Sequence, residues 1–369
     1  MRKLRILQYG PTAYRGGVAV AIADLCRGLA QDGHEVGLVC NGGEVLNRLD
    51  GSGVEVFLQN WVSGANALPS QAMGLARVLR SFRPDIIHTH GRSGSMASTL
   101  TGRYPDVFTL HSSTFTQSVG IVDKGPLRRL LSPMGRKVIV LNDATRAYCR
   151  QELGLADDRI FTVLNGVDVA RFAPADPARR ERLRADLGIG PGQTLVLYVG
   201  RFHPEKQPEA VVKLADALRS RGNDDVRFVM IGDGELRDPM AAMVSQLGLT
   251  DRISILDFRD PVAAYQAADL LVMPSLHEGF GLVAIEAIAS GCPVLRTRTG
   301  GFHETIVDGV TGYGCDVAVE DFVAKAISVL DDPAGRARVA ENGRRKVLAD
   351  LTLEAHVRGT VDVYRAAVA

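Results

Sequence analysis

The chain has 369 residues, 46% hydrophobic and 23% charged, a balance that excludes a disordered, collagenous or fibrous protein. Its 43 Lys and Arg against 42 Asp and Glu create no global field for nucleic acid or membrane, so an anionic partner must be held locally. Five scattered cysteines (Cys26, Cys40, Cys149, Cys292, Cys315) without a Cys-x-x-Cys pair argue against a zinc ribbon or disulfide framework and for a reducing cytoplasm.

The length predicts two domains. At the N-terminus the apolar segment before Gly10 is too short for a signal peptide, and no run reaches membrane-span length. Apolar runs ending in Gly, His or Asn predict strands over 4–10, 35–40, 54–59, 85–90, 107–111, 137–142 and 160–165. A second series follows over 194–200, 226–232, 253–258, 270–275, 293–298 and near Tyr313. Runs that are continuous rather than alternating belong to parallel strands buried on both faces. Amphipathic stretches lie between them, such as 18–31 closed by Gly33 and 209–220 closed by Gly222. Two rounds of strand-helix alternation predict an α/β protein with two doubly wound domains. The Pro-, Gly- and charge-rich segment 169–192 marks the boundary, giving domains 1–168 and 169–352. The last helix, within 353–369, follows the completed second sheet and is free to pack back on the first domain.

In such sheets ligands collect beyond the carboxyl ends of the strands. After the first strand, Tyr14-Arg-Gly-Gly-Val18 leads into a helix, where glycines expose amides and the dipole favours an anion. The spacing is not Gly-x-Gly-x-x-Gly, and a simple tight turn is the alternative. His88 and His90 end another strand on one face; no third ligand has compatible spacing, so packing or acceptor contact is preferred to a metal pair. In the second half, Gly200-Arg-Phe-His-Pro-Glu-Lys206 offers Arg201 as a fork and Lys206 as a point charge, suited to a diphosphate. Two surface cations on a loop are the alternative.

The most informative stretch is His277-Glu-Gly-Phe-Gly-Leu-Val-Ala-Ile-Glu286. A helix starting at Gly281 or Leu282 leaves Glu278 in the preceding loop and aims the Phe280, Gly281 and Leu282 amides above the sheet. Glu286 lies one turn inside an otherwise apolar helix, which is costly unless something pairs with it. Two vicinal hydroxyls of a ribose are a natural partner, and a solvated helix position is the alternative.

These residues carry a resemblance. Glu278-x7-Glu286 with Gly279-Phe-Gly281 inside it, then Gly291-Cys-Pro-Val294 and Gly300-Gly-Phe-His-Glu304, resembles the retaining glycosyltransferases of the GT-B fold, family four. Supporting segments are Gly16-Gly17, Pro84-Asp-Ile-Ile-His-Thr-His90, Asn165-Gly-Val-Asp168, Gly200-Arg201, Ile231-Gly-Asp-Gly-Glu235 and Ala268 to Ser275, in order over nearly the whole chain. The resemblance implies two Rossmann-like domains facing across a cleft, the first binding an acceptor and the second a nucleotide-diphosphate sugar. It implies that Arg201 and Lys206 hold the diphosphate, and that Glu278 contacts the donor sugar with help from Gly279, Phe280, Gly281 and Leu282. Glu286 would bind the ribose, and Gly232, Gly234 and Phe258 would line the base pocket. His111 matches the family histidine facing the transferred sugar. Gly17 would let the donor phosphate approach the first helix, and Gly16, His90 and Arg92 are candidates for the acceptor. Retention of anomeric configuration by front-face attack is implied as well.

The chain contains no Asp-x-Asp, so a metal-bridged diphosphate lacks its usual ligands and no metal or other cofactor is expected. Cations and a helix N-terminus would stabilise the leaving group instead. The two glutamates are poorly suited to a glycosidase pair, which must flank one bond. Departures from the family pattern stand at Lys206-Gln207-Pro208, where a glycine commonly follows the lysine, and at Phe258-Arg259. Arg296 and Arg298 replace smaller or acidic residues; they read as a site for an extra anionic group or as exposed cations at a strand end. The basic, partly apolar segment from Lys124 to Lys137 reads as a solvated helix near the acceptor in preference to a membrane-surface contact. A sugar-nucleotide epimerase or hydrolase acting on the donor alone, and a non-catalytic nucleotide binder, are the competing functions.

Overall fold

The computed structural model describes residues 2–10, 16–60, 67–101, 104–111 and 135–369. Tyr14 and Arg15 of the glycine motif, and the basic segment from Lys124 to Met134, lie outside the described residues. The chain divides into two compact units, Met1–Gly166 with Leu353–Ala369, and Val167–Thr352.

In the first unit the described strands are β1 (Arg5–Tyr9), β2 (Glu35–Cys40), β3 (Glu55–Leu58), β4 (Ile86–Thr89), β5 (Asp106–Leu110), β6 (Lys137–Val140) and β7 (Ile160–Thr162). They form one parallel sheet in the order β3-β2-β1-β4-β5-β6-β7. Ile6 on β1 pairs with Val36 on one side and Ile86 on the other, so the strand order reverses beside β1. Such a switch point opens a crevice past the strand ends. Ile6, Leu7, Ile87, Val107, Val138 and Ile139 are fully buried, each contributing about 1.5–3 kcal/mol relative to exposure. At the sheet edge β3 is only half buried, and Leu58 is exposed. An edge strand cannot be covered like a central one, which is why its apolar run does not mean full burial.

The helix Leu353–Val368 belongs to this unit, burying Val357, Val361 and Tyr364 in one cluster with Ile22, Cys26 and Leu29 of the helix Gly17–Gln31. Gly28 makes the approach possible, since a β-carbon there would lie 2.6 Å from Val357 Cγ2. The unit ends after Gly166, two residues before the predicted boundary at 168. Val167 already donates its N–H to Leu351 O at 2.9 Å and bridges to Thr352, which ties it to the second unit.

The second unit contains β8 (Thr194–Val199), β9 (Val226–Ile231), β10 (Ile253–Leu256), β11 (Leu270–Met273), β12 (Val294–Thr297) and β13 (Tyr313–Cys315), parallel in the order β10-β9-β8-β11-β12-β13. Val196, Tyr198, Phe228, Met230, Val272 and Leu295 pack with Val211 and Leu214 of the helix Glu209–Ser220 and with Phe322 and Ala326 of the helix Val319–Leu330. Asp269 is a polar anchor at the amino end of the sheet, accepting from Leu195 N at 2.7 Å and pairing with Arg180 and Arg184 at 2.6 and 2.9 Å. Here the order reverses between β8 and β11, so the turns that follow them, Gly200–Gln207 and Pro274–Gly281, meet above the sheet.

Candidate functional site

Those two turns are joined by hydrogen bonds. Leu276 N donates to Glu205 O at 2.8 Å, bringing the short 3-10 turn Pro204–Lys206 against the loop after β11. Lys206 Nζ then reaches Glu278 Oε1 at 2.6 Å and His277 O at 3.2 Å, and Ser275 Oγ donates to the same carboxylate oxygen at 2.9 Å. Among the described residues both side-chain donors fall on Oε1. An ammonium has three N–H groups, so one remains on Lys206 for another acceptor. Burial alone would push the Glu278 carboxyl up; the Lys206 and Arg296 cations and the two hydrogen bonds reverse this and hold it below the usual carboxylate range.

Gln207 adopts a left-handed backbone (φ 43°), where a glycine is common in the resembling family. That conformation costs roughly 1–2 kcal/mol for a residue with a β-carbon. Its amide end lies against the carbonyls of Pro274 and Val317, at 2.6 and 3.2 Å with the nitrogen toward them, which offsets the cost and staples the turn.

Arg296 corrects the sequence reading. It is not an exposed cation at a strand end but a fully buried one on β12, with no solvent-accessible surface. Its guanidinium donates to Phe280 O at 3.1 Å, Thr305 Oγ1 at 3.2 Å and Thr299 O at 2.7 Å, so it is tied to the protein's own oxygens and shut away from solvent. Gly281 (φ 90°) sits directly over it, and a β-carbon there would run into the guanidinium. Arg298 is partly exposed and already paired with Asp308 and Asp316 at 2.6 and 3.0 Å.

Gly281 caps the helix Leu282–Ala289, whose first amides have no carbonyl inside the helix to pair with. Gly279 O accepts from Gly301 N at 2.7 Å, so the 278–281 loop is fastened from two sides. One turn into the helix, Glu286 is 7% exposed, and its Oε2 accepts from the Tyr265 hydroxyl at 3.0 Å. The carboxylate therefore has a partner inside the protein, contrary to the expectation that a ligand alone would supply it. Burial and the Glu286 charge push the Tyr265 phenol well up, so it stays protonated as the donor.

The remaining candidates of this unit surround the same strand ends. Arg201 follows β8 with its side chain 58% exposed, 3.8 Å from Glu205. Gly232 and Gly234 follow β9, in a turn stitched to Phe202 by Phe202 N to Asp233 O at 2.9 Å. A β-carbon on Gly232 would run into Gly200 O, so these two strand ends can meet only at a glycine. Phe258 follows β10 and exposes its ring.

In the first unit His88, His90 and His111 gather at the carboxyl ends of β4 and β5. His88 Nδ1 and Nε2 lie 2.7 Å from Tyr364 Oη and 2.7 Å from Thr109 Oγ1, so both nitrogens are occupied. His90 Nδ1 lies 3.0 Å from His111 Nε2, and its Nε2 lies 2.7 Å from Gln8 Oε1. Among the described residues no group of three His, Cys, Asp or Glu is placed to hold a metal ion. Gly16 and Gly17 open the first helix and are exposed; Arg92 begins the helix Arg92–Thr101, its side chain outside the described set.

Sequence reasoning missed Tyr265, Ser275, Gln8 and Tyr364. A signal existed for Gln8, a polar residue inside the strand Arg-Ile-Leu-Gln-Tyr, since a buried amide demands partners. The same argument, applied to a cation four residues into an apolar run, would have buried Arg296. Nothing local marks Tyr265 or Tyr364.

Comparison with known proteins identifies the family and the fold. Residues 179–346 match the family described as Glycosyl transferases group 1, and residues 15–171 match Glycosyltransferase Family 4. The D-inositol 3-phosphate glycosyltransferase of Nocardia farcinica is 33% identical over 342 residues, covering 82% of this chain and 74% of that one. The enzyme of the same name from Pseudarthrobacter chlorophenolicus is 31% identical, covering 92% and 90%. Among solved structures, Anabaena Alr3699/HepE in complex with UDP-glucose superposes with a TM-score of 0.84 at 19% identity, over 98% of this chain and 100% of that one. Sucrose-phosphate synthase from Thermosynechococcus elongatus gives 0.81 at 20% identity, over 99% of each chain. These two establish the GT-B fold. The chain belongs to the family-four glycosyltransferases.

Proposed function

We propose that this glycosyltransferase moves a sugar from a nucleotide-diphosphate donor to a hydroxyl acceptor, with retention of configuration and without a metal ion. The observation that supports it best is the Lys206–Glu278 contact at 2.6 Å beside the glycine loop that opens the Leu282–Ala289 helix. A cation, a fixed carboxylate and a helix N-terminus within one turn are suited to a diphosphate joined to a polyhydroxyl ring.

On this reading the remaining N–H of Lys206 and the fork of Arg201 bind the diphosphate. Glu278 Oε2 accepts from a hydroxyl of the donor sugar. Glu286, held by Tyr265, accepts from the ribose, and Phe258 and the Gly232–Gly234 turn receive the base. As the bond from the anomeric carbon to the phosphate oxygen breaks, negative charge grows on the diphosphate, where the cations and helix amides already point. The acceptor oxygen attacks the same face, its proton passing to the leaving phosphate oxygen. The cationic set makes a divalent ion unnecessary for charge neutralisation. Five buried free cysteines suit a reducing compartment such as the cytoplasm, and among the described residues no helix is long and apolar enough to cross a membrane.

The test is a panel of nucleotide sugars, with UDP-glucose first because HepE was solved with it. D-inositol 3-phosphate, named for the relatives, heads the acceptor panel. Product NMR is expected to show the donor's anomeric configuration, and turnover is expected to survive a chelator. Inverted product, or loss of activity on chelation, sinks the respective part. Consumption of donor without any glycosylated product would indicate a hydrolase or epimerase. Glu286→Ala is expected to weaken donor binding by roughly 10- to 100-fold in calorimetry, the effect of a lost charged hydrogen bond, with the circular dichroism spectrum unchanged. Unchanged affinity would remove the ribose assignment.

A further inference from the structure

Three consecutive residues after β8 each hold the loop that follows β11. Glu205 O accepts from Leu276 N at 2.8 Å, and Lys206 Nζ donates to His277 O at 3.2 Å and to Glu278 Oε1 at 2.6 Å. The Gln207 amide donates to Pro274 O at 2.6 Å. From β12, Thr297 Oγ1 donates to Ser275 O at 2.5 Å. Each residue of 274–277 is therefore tied through its backbone to a neighbouring strand end of the second unit.

Gln207 does more than close this set. It holds φ 43° and ψ 53°, a left-handed conformation that a residue with a β-carbon rarely adopts. A carboxamide nitrogen carries two N–H groups, and the second goes to Val317 O at 3.2 Å, just past β13. That segment is itself fixed, since Asp316 pairs with Arg298 at 3.0 Å and Arg298 N donates to Cys315 O at 2.9 Å. One side chain thus joins the ends of β8, β11 and β13. Its neighbour Lys206 is a flexible side chain that loses much rotamer freedom when it is fixed. Where its ammonium rests depends on where the backbone of the turn starts it.

We infer that Gln207 is a positioning residue: by tying the Lys206 turn to Pro274 and Val317, it sets the ammonium on Glu278 before any donor arrives. The inference rests on the proposed reading in which Lys206 meets the diphosphate, while the staple itself belongs to the folded second unit. A donor then finds its cation already in place, and little reorganisation is needed as charge develops on the leaving group. Releasing the staple loosens the contact with Glu278 and the contact with the diphosphate together. Glu278 reports the first of these. Burial pushes its carboxyl up, and Lys206 from this turn, Arg296 from β12 and the Ser275 hydroxyl hold it below the usual carboxylate range. The Tyr198 phenol on β8 feels the same carboxylate; burial first, then Glu278 and Glu209, push it up, so it stays protonated while Glu278 titrates.

The experiment uses the full chain labelled with 13C at the glutamate carboxyl carbons, with the Glu278 signal assigned through Glu278→Gln. Its titration is followed beside donor kcat and KM and thermal melting. Gln207→Gly removes the staple and relieves the backbone, because glycine adopts this conformation freely. Gln207→Met removes the staple, keeps the length of the side chain and leaves the backbone cost in place. In both variants the Glu278 titration is expected to move up, since its first cation is less well held. Donor kcat should fall about tenfold and KM should change less than about twofold, because the lost contact matters most to charge that develops in the transition state. Gln207→Met should melt below Gln207→Gly. A residue that served stability alone would move the melting midpoint and leave the titration in place. An unmoved Glu278 titration in both variants, or a movement confined to Gln207→Met, overturns the inference. Where Gln207→Met fails to fold, Gln207→Gly carries the test. A titration that moves in a protein that transfers no sugar would keep the staple and remove the transferase reading beneath it.

Discussion

Lys206→Ala is expected to lower turnover by roughly 10²–10³-fold, the effect of removing one preorganised donor to charge that develops in the transition state. The loss has two sources, separable by pH. On the proposed reading the ammonium meets the diphosphate directly, and it also keeps Glu278 ionised. Burial by itself raises the Glu278 carboxyl; Lys206 is the first of the groups that hold it below the usual range. A carboxylate with a depressed pKa is ionised throughout the neutral range and loses its charge only as pH falls through that low value. Removing Lys206 takes away the first of these groups and leaves Arg296 and Ser275 to oppose burial, so the acid limb of kcat/KM against pH should move up. Lys206→Arg is expected to restore the limb in part without restoring the rate, because a planar fork does not replace a compact ammonium at 2.6 Å. In Glu278→Gln the limb should disappear from both backgrounds, and the double variant should lose less than the sum of the singles. Wild-type turnover in Lys206→Ala would show that this cation lies outside the machinery.

Much of the fold was legible because buried parallel strands leave a strong local record. The runs at 194–200 and 226–232 are apolar without alternation, and β8 and β9 occupy them to within their last residue. The residues trimmed from the runs, Gly200 and Gly232 in the second unit and His90 and His111 in the first, are those that follow the last paired residues of their strands. Contacts between distant segments were less legible. Glu278 was visible, but Ser275 and Lys206 converge on one of its oxygens only because β8 and β11 are neighbours at the switch point. Tyr265 reaches Glu286 from a separate six-residue helix, and Tyr364 reaches Gln8 across 356 positions. Such pairs obey no periodicity. The misreading of Arg296 had a different origin: its place inside the run Pro293–Arg298 was taken for a strand end, where a cation is solvated.

Arg296→Met tests what that buried cation contributes. Methionine approximates its length and apolar stem, so the change removes the guanidinium without opening a large cavity. Phe280 O, which is buried, and Thr299 O, which is part-buried, lose their donor; at about 1–3 kcal/mol for a buried orphan and less for the other, a total of about 2–5 kcal/mol is expected. At about 2–4 °C per kcal/mol for a unit of this size, the melting midpoint of the second unit should fall by roughly 5–15 °C. Burial works against the guanidinium, pushing its pKa down against Glu278 and Glu304, yet arginine remains charged. A residue retained only for packing could be replaced by methionine at small cost to activity, so the decisive measurement is kinetic and made well below the melting midpoint. Arg296 is the second cation lowering Glu278 and a direct support of the Phe280–Gly281 backbone. Its loss should therefore raise the acid limb, as in Lys206→Ala but by less, and weaken donor binding by about tenfold as the loop relaxes. Arg296→Lys is expected to keep part of the limb while losing the stability, since one ammonium cannot bridge three acceptors spread around a planar fork. Full activity and an unmoved acid limb in Arg296→Met would reduce this arginine to a stability element. The opposite result would place part of the donor site's electrostatics beneath its loop, on a residue that no substrate touches.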